Sequence, residues 1–102
     1  MKIKGNWASR NISLGGHVLL PFDSQDLRNH SPDGFNWGYG GSGPAQLALA
    51  ILLHTFGKEF AQRHYQDFKW QVVARWPQAD FEVDFDLDEW RTRQEAGFND
   101  RS

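Results

Sequence analysis

Phe35-Asn36-Trp37-Gly38-Tyr39-Gly40-Gly41-Ser42-Gly43-Pro44-Ala45-Gln46-Leu47-Ala48-Leu49-Ala50-Ile51-Leu52-Leu53 joins a glycine-rich segment to an apolar one. Its second half is helical by composition, because Ala, Leu and Gln are strong helix formers. Leu47 to Leu53 is apolar all round, the pattern of a helix enclosed on most sides. Pro44 suits the first helical position, where its missing N–H costs nothing. Gly43 or Ser42 then stands as the cap, with Gln46 placed to reach back in a capping box. Gly57 marks the helix end.

Working outward, Lys58 to Arg75 reads as a second helix. Ala61, Tyr65, Phe68, Val72 and Trp76 form one apolar stripe at three- and four-residue spacing, and Pro77 stops it. The short break at Gly57 predicts an antiparallel helix pair. Phe81 to Asp88 alternates apolar and acidic residues, which predicts a half-buried strand over that whole length. Asp88 to Glu95 reads as a short helix ending at Gly97, with Phe98 to Ser102 a loose tail.

Upstream, Lys2-Ile3-Lys4 begins a strand. Asn11 to Leu14 and His17 to Leu20 flank Gly15-Gly16 and predict a hairpin with a two-residue primed turn. Pro21 ends it. Asp23-Ser24 is placed to cap a single turn containing Leu27, and Ser31-Pro32-Asp33-Gly34 is a turn. Phe35, Trp37 and Tyr39 alternate, as a short strand closing the core would. The expected fold is one α+β domain over residues 1–102. A small antiparallel sheet, made of the N-terminal hairpin and a C-terminal strand, packs on two central helices, with a short helix at the end.

Composition narrows the function. The chain has 102 residues, 11 Lys plus Arg against 13 Asp plus Glu, and no Cys. A disulfide scaffold and a Cys-rich zinc site are excluded. Near-neutral charge disfavours a strongly basic nucleic-acid binder and an acidic nucleic-acid mimic. No apolar run approaches a membrane span, and no signal peptide is visible, which together point to the cytoplasm and away from a membrane. The 15 aromatic residues and 10 glycines stand out, and five of the glycines fall between Gly34 and Gly43.

The central motif, Trp37-Gly38-Tyr39-Gly40-Gly41-Ser42-Gly43-Pro44 leading into an apolar helix, resembles the signature of a small uncharacterised family. Tyr65, Phe68 and Lys69 match its downstream Tyr-x-x-Phe-Lys, and Lys4-Gly5 matches a first strand ending in Gly. Chains of this family occur in bacteria and often on phages, plasmids and integrated elements. The resemblance implies that genomic setting and no activity.

Two candidate sites follow from the residues. Trp37, Tyr39, Gly40, Gly41, Ser42 and Gly43 form a Gly-rich loop opening a helix, an arrangement that offers N–H groups to an anion and rings to a base. Without a Gly-Lys-Ser/Thr it is not a P-loop. Glu82, Asp84, Asp86 and Asp88 form an acidic row fit to dock a basic partner surface. Their spacing along a strand suits no metal ion. His54 and His64 sit on neighbouring helices without a metal-binding motif. His30, Ser31 and Asp33 share a loop but not the converging geometry of a triad. Trp90, beside Arg91 and Arg93, reads as a core anchor more readily than as a stacking platform for a nucleic-acid strand. No catalytic set and no cofactor is called for, and the oligomeric state stays open. The leading expectation is an interaction protein of a mobile genetic element, an accessory or counter-defence factor acting through a protein partner. The alternative is a nucleotide- or anion-binding module built on the Gly-rich loop.

Overall fold

A computed structural model describes residues 1–100. Four strands, β1 (Lys2–Gly5), β2 (Ile12–Leu14), β3 (His17–Leu19) and β4 (Phe81–Asp84), form one sheet in the order β3-β2-β1-β4. Every neighbouring pair is antiparallel. The helices are α1 (Phe22–Leu27), α2 (Ser42–Phe56), α3 (Lys58–Gln71) and α4 (Leu87–Asp100). This is the expected α+β architecture, with the C-terminal strand joining the hairpin through β1.

The sheet follows its pleat. Leu19, Ile12, Gly5 and Phe81 form one inward row across the four strands, and Leu14, Ile3 and Val83 form the next. The outward row is Val18, Ser13, Lys4 and Glu82. Gly15 and Gly16 both take positive φ, +56° and +84°, as a primed hairpin turn requires. Gly5 leaves a gap that the Phe81 ring fills from the neighbouring strand. Phe81 stacks on Trp76 at 4.4 Å and meets Trp37 edge-on at 5.1 Å. The sheet's inner face thereby joins the core built around α2 and α3.

α2 is enclosed as its composition predicts: Gly43 through Leu52 are all buried. Its start differs from expectation. The helix begins at Ser42 with Gly41 as cap, so Pro44 occupies the third position, still inside the first turn where no N–H acceptor is available. Gln46 does not form a capping box. It is wholly buried and tied to the segment before it in sequence.

Four other boundaries differ. α3 stops at Gln71, and Val73–Arg75 form a 3-10 turn; the Val73 carbonyl accepts the Trp76 N–H at 3.3 Å and the Gly38 N–H at 3.0 Å, while Pro77 has no N–H to continue an α-helix. The alternating run after Phe81 is strand only to Asp84. Asp86 instead caps α4, its Oδ1 accepting the Glu89 N–H at 2.9 Å, and the last helix starts at Leu87. That helix passes through Gly97 to Asp100, so the expected tail contributes to it; residues 101 and 102 lie outside the described residues. In α1, Ser24 does not cap, and its hydroxyl donates to the Pro21 carbonyl at 2.8 Å. Phe35 to Tyr39 form no strand; Phe35 and Trp37 reach the core from an irregular loop.

Gly38 is the tightest point of that loop. Its φ is +85°, and a Cβ there would stand 2.9 Å from the Trp76 carbonyl oxygen and 2.6 Å from Gln78 Cγ. Gly38→Ala therefore combines a left-handed backbone with a collision. We expect a loss of about 2–3 kcal/mol in urea unfolding.

Candidate functional site

The loop from Trp37 to Gly43 is held by contacts only glycine permits. A Cβ on Gly40 would lie 2.1 Å from Trp70, one on Gly41 would lie 2.4 Å from the Tyr39 ring, and one on Gly43 would lie 2.5 Å from Asn36 Cβ. The glycines thus let two side chains and α3 close onto bare backbone. Trp37 has no exposed surface, and its indole N–H donates to the Ala79 carbonyl at 3.1 Å. The aromatic faces open to solvent belong instead to Tyr39, 42% exposed, and Trp70, 58% exposed. They lie over adjacent residues, Gly41 and Gly40.

Trp70 lies outside both sites expected from the sequence. It falls off the apolar stripe of α3, on the face otherwise occupied by polar residues. A Trp in that position is the available signal, since burial does not explain it. Beside it, Lys69 is only 8% exposed, and its Nζ stands 4.4 Å from the centre of the Trp70 ring. Among the described residues no carboxylate or carbonyl pairs with that ammonium, and its tip keeps contact with solvent. The Gly-rich motif holds no cation of its own, and the fold brings Lys69 to the ring that covers Gly40.

Ser42 is exposed at the first turn of α2. No side chain caps this helix start, and no acid lies in its first turn. Among the described residues, the positive end of this 15-residue helix thus has neither a side-chain cap nor a first-turn acid.

Beneath this surface, Gln46 fixes the segment 24–31. Its Oε1 accepts the N–H groups of His30 at 2.7 Å and Ser31 at 3.0 Å. Its Nε2 donates to Ser24 Oγ at 2.9 Å and to the Arg28 carbonyl at 3.1 Å. His30 Nε2 and the Tyr65 hydroxyl are 2.8 Å apart. His30 and Ser31 are thus parts of a structural clamp between the loop and both long helices.

The acidic row is largely engaged inside the molecule. Glu82 lies between Lys2 and Lys4 at 3.4 and 3.3 Å, and hydrogen bonds from Lys4 and then Lys2 hold its carboxyl below the ordinary range. Asp84 meets the Met1 ammonium at 3.2 Å. Asp86 caps α4, and Asp88 lies in that helix's first turn. These four residues are not one strand face, because the chain turns into α4 after Asp84.

Of the histidines, His54 is exposed, while His64 packs on Phe60 at 4.5 Å, where burial lowers its pKa. Among the described residues no group of three His, Asp or Glu side chains is placed to hold a metal ion. Trp90 anchors α4 to the core, meeting Phe68 edge-on at 4.9 Å, with its indole N–H on Gln71 Oε1 at 3.1 Å. A shallow hollow of about 300 Å³ opens on the outer sheet face, lined by Lys4, Asn6, Asn11, Ser13, Val18 and Asp80 among others. Among the described residues no helix is long and apolar enough to cross a membrane.

Nothing among the curated proteins or the solved structures matches the chain. One family model does, over residues 6–95, a span that takes in the Gly-rich loop, both long helices and most of the sheet. The chain belongs to the family of unknown function DUF6166.

Proposed function

We propose that the chain is a small interaction protein of a mobile genetic element, acting by binding a protein partner through the surface of Tyr39 and Trp70. One observation carries this reading. Two large aromatic side chains stand exposed over neighbouring glycines of one loop, Tyr39 over Gly41 and Trp70, from a long helix, over Gly40. Trp and Tyr are the residues that most often carry binding energy at protein interfaces. Monomers seldom leave such side chains together in water without a use for them. The resemblance of the Trp37–Pro44 motif to proteins of phages and plasmids supports the genomic setting, and with it an accessory or counter-defence role.

The test is affinity capture from a bacterial lysate with the wild-type chain and with Trp70→Ala as parallel baits. Because Trp70 is more than half exposed, its removal should cost about 1 kcal/mol of stability or less. We expect a partner held in stoichiometric amount by the wild type and depleted at least about tenfold with the variant, as for an interface hot spot. Equal capture by both baits, or by neither, would count against the proposal.

A nucleotide or anion module remains the second reading, favoured by the uncapped start of α2. In that case the stacking residues are Tyr39 and Trp70, since Trp37 is enclosed.

A further inference from the structure

The charge around the aromatic pair has a sign. Residues 34–58, which supply Tyr39, the glycine loop and all of α2, contain no Asp or Glu. Neither do residues 68–79, which supply Lys69 and Trp70. All 13 acids of the chain lie elsewhere. This surface is thus built from the two carboxylate-free stretches of a chain that is acidic overall.

Two positive groups flank the contact of Trp70 with Gly40, and neither has a carboxylate partner among the described residues. The first is Lys69. It is more than nine-tenths buried, yet no described residue neutralises it. Its stem is enclosed while the ammonium tip keeps contact with solvent beside the Trp70 ring, which leaves the charge open to an anion. The second is the start of α2. Ala45 N–H is bonded to the Gly41 carbonyl, Pro44 has no N–H, and Ser42 and Gly43 have no acceptor among the described residues. Asn36 covers Gly43, which leaves Ser42 as the exposed group. The Trp70 ring links the two, with its edge on Gly40 and Lys69 Nζ against it.

We propose that this surface takes an acidic peptide segment of the partner, whose carboxylate pairs with Lys69 and the start of α2 while Tyr39 and Trp70 hold the flanking side chains. The proposal rests on the protein-binding reading above and names the chemistry of the partner. Desolvating the ammonium further is repaid only by an anion, so the site discriminates against neutral and basic segments.

The test uses the whole chain and defined probes. Hexaglutamate, hexaglutamine, hexalysine and inorganic phosphate are titrated while the Ser42 amide and Trp70 indole signals are followed in ¹H–¹⁵N spectra. Hexaglutamate should shift both signals saturably, and added salt should weaken the effect. Lys69→Met keeps the stem and removes the charge; it should weaken binding at least about tenfold, as loss of a charge-assisted pair does. Absence of the shifts, or shifts unchanged in Lys69→Met, overturns the proposal. Phosphate saturating the same signals at no higher concentration also overturns it, because the site then selects free anions. A thermal melt gives an independent check. Lys69→Met should melt close to the wild-type temperature, since it keeps the enclosed stem and removes a charge that has no partner among the described residues. A midpoint several degrees lower means that the ammonium serves the fold, which also overturns the proposal. Lysate capture that depends on Trp70 but not on Lys69 removes the acidic partner and leaves the protein-binding reading standing. Capture that depends on neither removes both.

Discussion

Gln46→Leu is expected to lower stability by about 3–5 kcal/mol, with the loss concentrated in residues 24–31. The side chain is wholly buried and serves four partners: the N–H groups of His30 and Ser31, the Ser24 hydroxyl and the Arg28 carbonyl. Leucine fills similar space but takes the partner from the two N–H groups and the Arg28 carbonyl, while the Ser24 hydroxyl keeps only its bond to Pro21. Each buried orphan costs about 1–3 kcal/mol, reduced where the loop relaxes toward water. Urea unfolding measures the total, and amide exchange at His30 and Ser31 locates it. Gln46→Glu makes the contrast. An ionised carboxylate keeps the two acceptor contacts, loses both donor contacts and carries a buried charge. Burial raises its folded pKa above the unfolded value. Its destabilisation should therefore be greatest at neutral pH and shrink as pH falls through the raised folded pKa toward the unfolded one. A Gln46→Leu protein with wild-type stability would remove the clamp from the account of this fold.

Trp37→Ala is the second large effect, about 3–5 kcal/mol by analogy with large-to-small core changes. Trp37 meets Trp7 edge-on at 5.3 Å and Phe81 at 5.1 Å, and Phe81 in turn stacks on Trp76. Its removal opens a void where the Gly-rich loop, β4 and the turn after α3 converge. Trp37→Phe preserves most of the area and loses the indole hydrogen bond to Ala79, so about 1–2 kcal/mol is expected. Thermal melts of the two variants should rank in that order. Equal losses in the two variants would place the role of Trp37 in its polar contact and not in its volume.

The elements that followed from residue pattern alone were those with a strong local signal. The Gly15-Gly16 hairpin, the enclosed α2 and the striped α3 all carry their geometry in neighbouring residues. The ends of elements did not. The α-helix ends after Gln71, and the Val73 carbonyl beyond it accepts the N–H of Gly38, far away in sequence. Asp86 breaks an alternation that continues through Asp88, because its side chain caps a helix more effectively than a strand would use it. The candidate site was legible to the same degree. The glycine loop announced itself by composition, but the residues that occupy the space above it come from α3. Trp70 and Lys69 meet that loop only through the antiparallel packing of α2 on α3. The acidic row was visible as a pattern, while its partners, Lys2 and Lys4, lie at the other end of the chain.

The order of the sheet bears on how the molecule is made. β1, from the first residues, lies between β2 and a strand from near the chain's end. The β1–β2–β3 meander and the α2–α3 pair join elements close in sequence, so their contacts are available during synthesis before β4 is made. Until β4 emerges, one edge of β1 is unpaired and Phe81 is missing from Gly5. Closure is thus a late, non-local event, the kind that slows folding. For that interval the nascent chain presents an open strand edge, the surface most prone to wrong pairing.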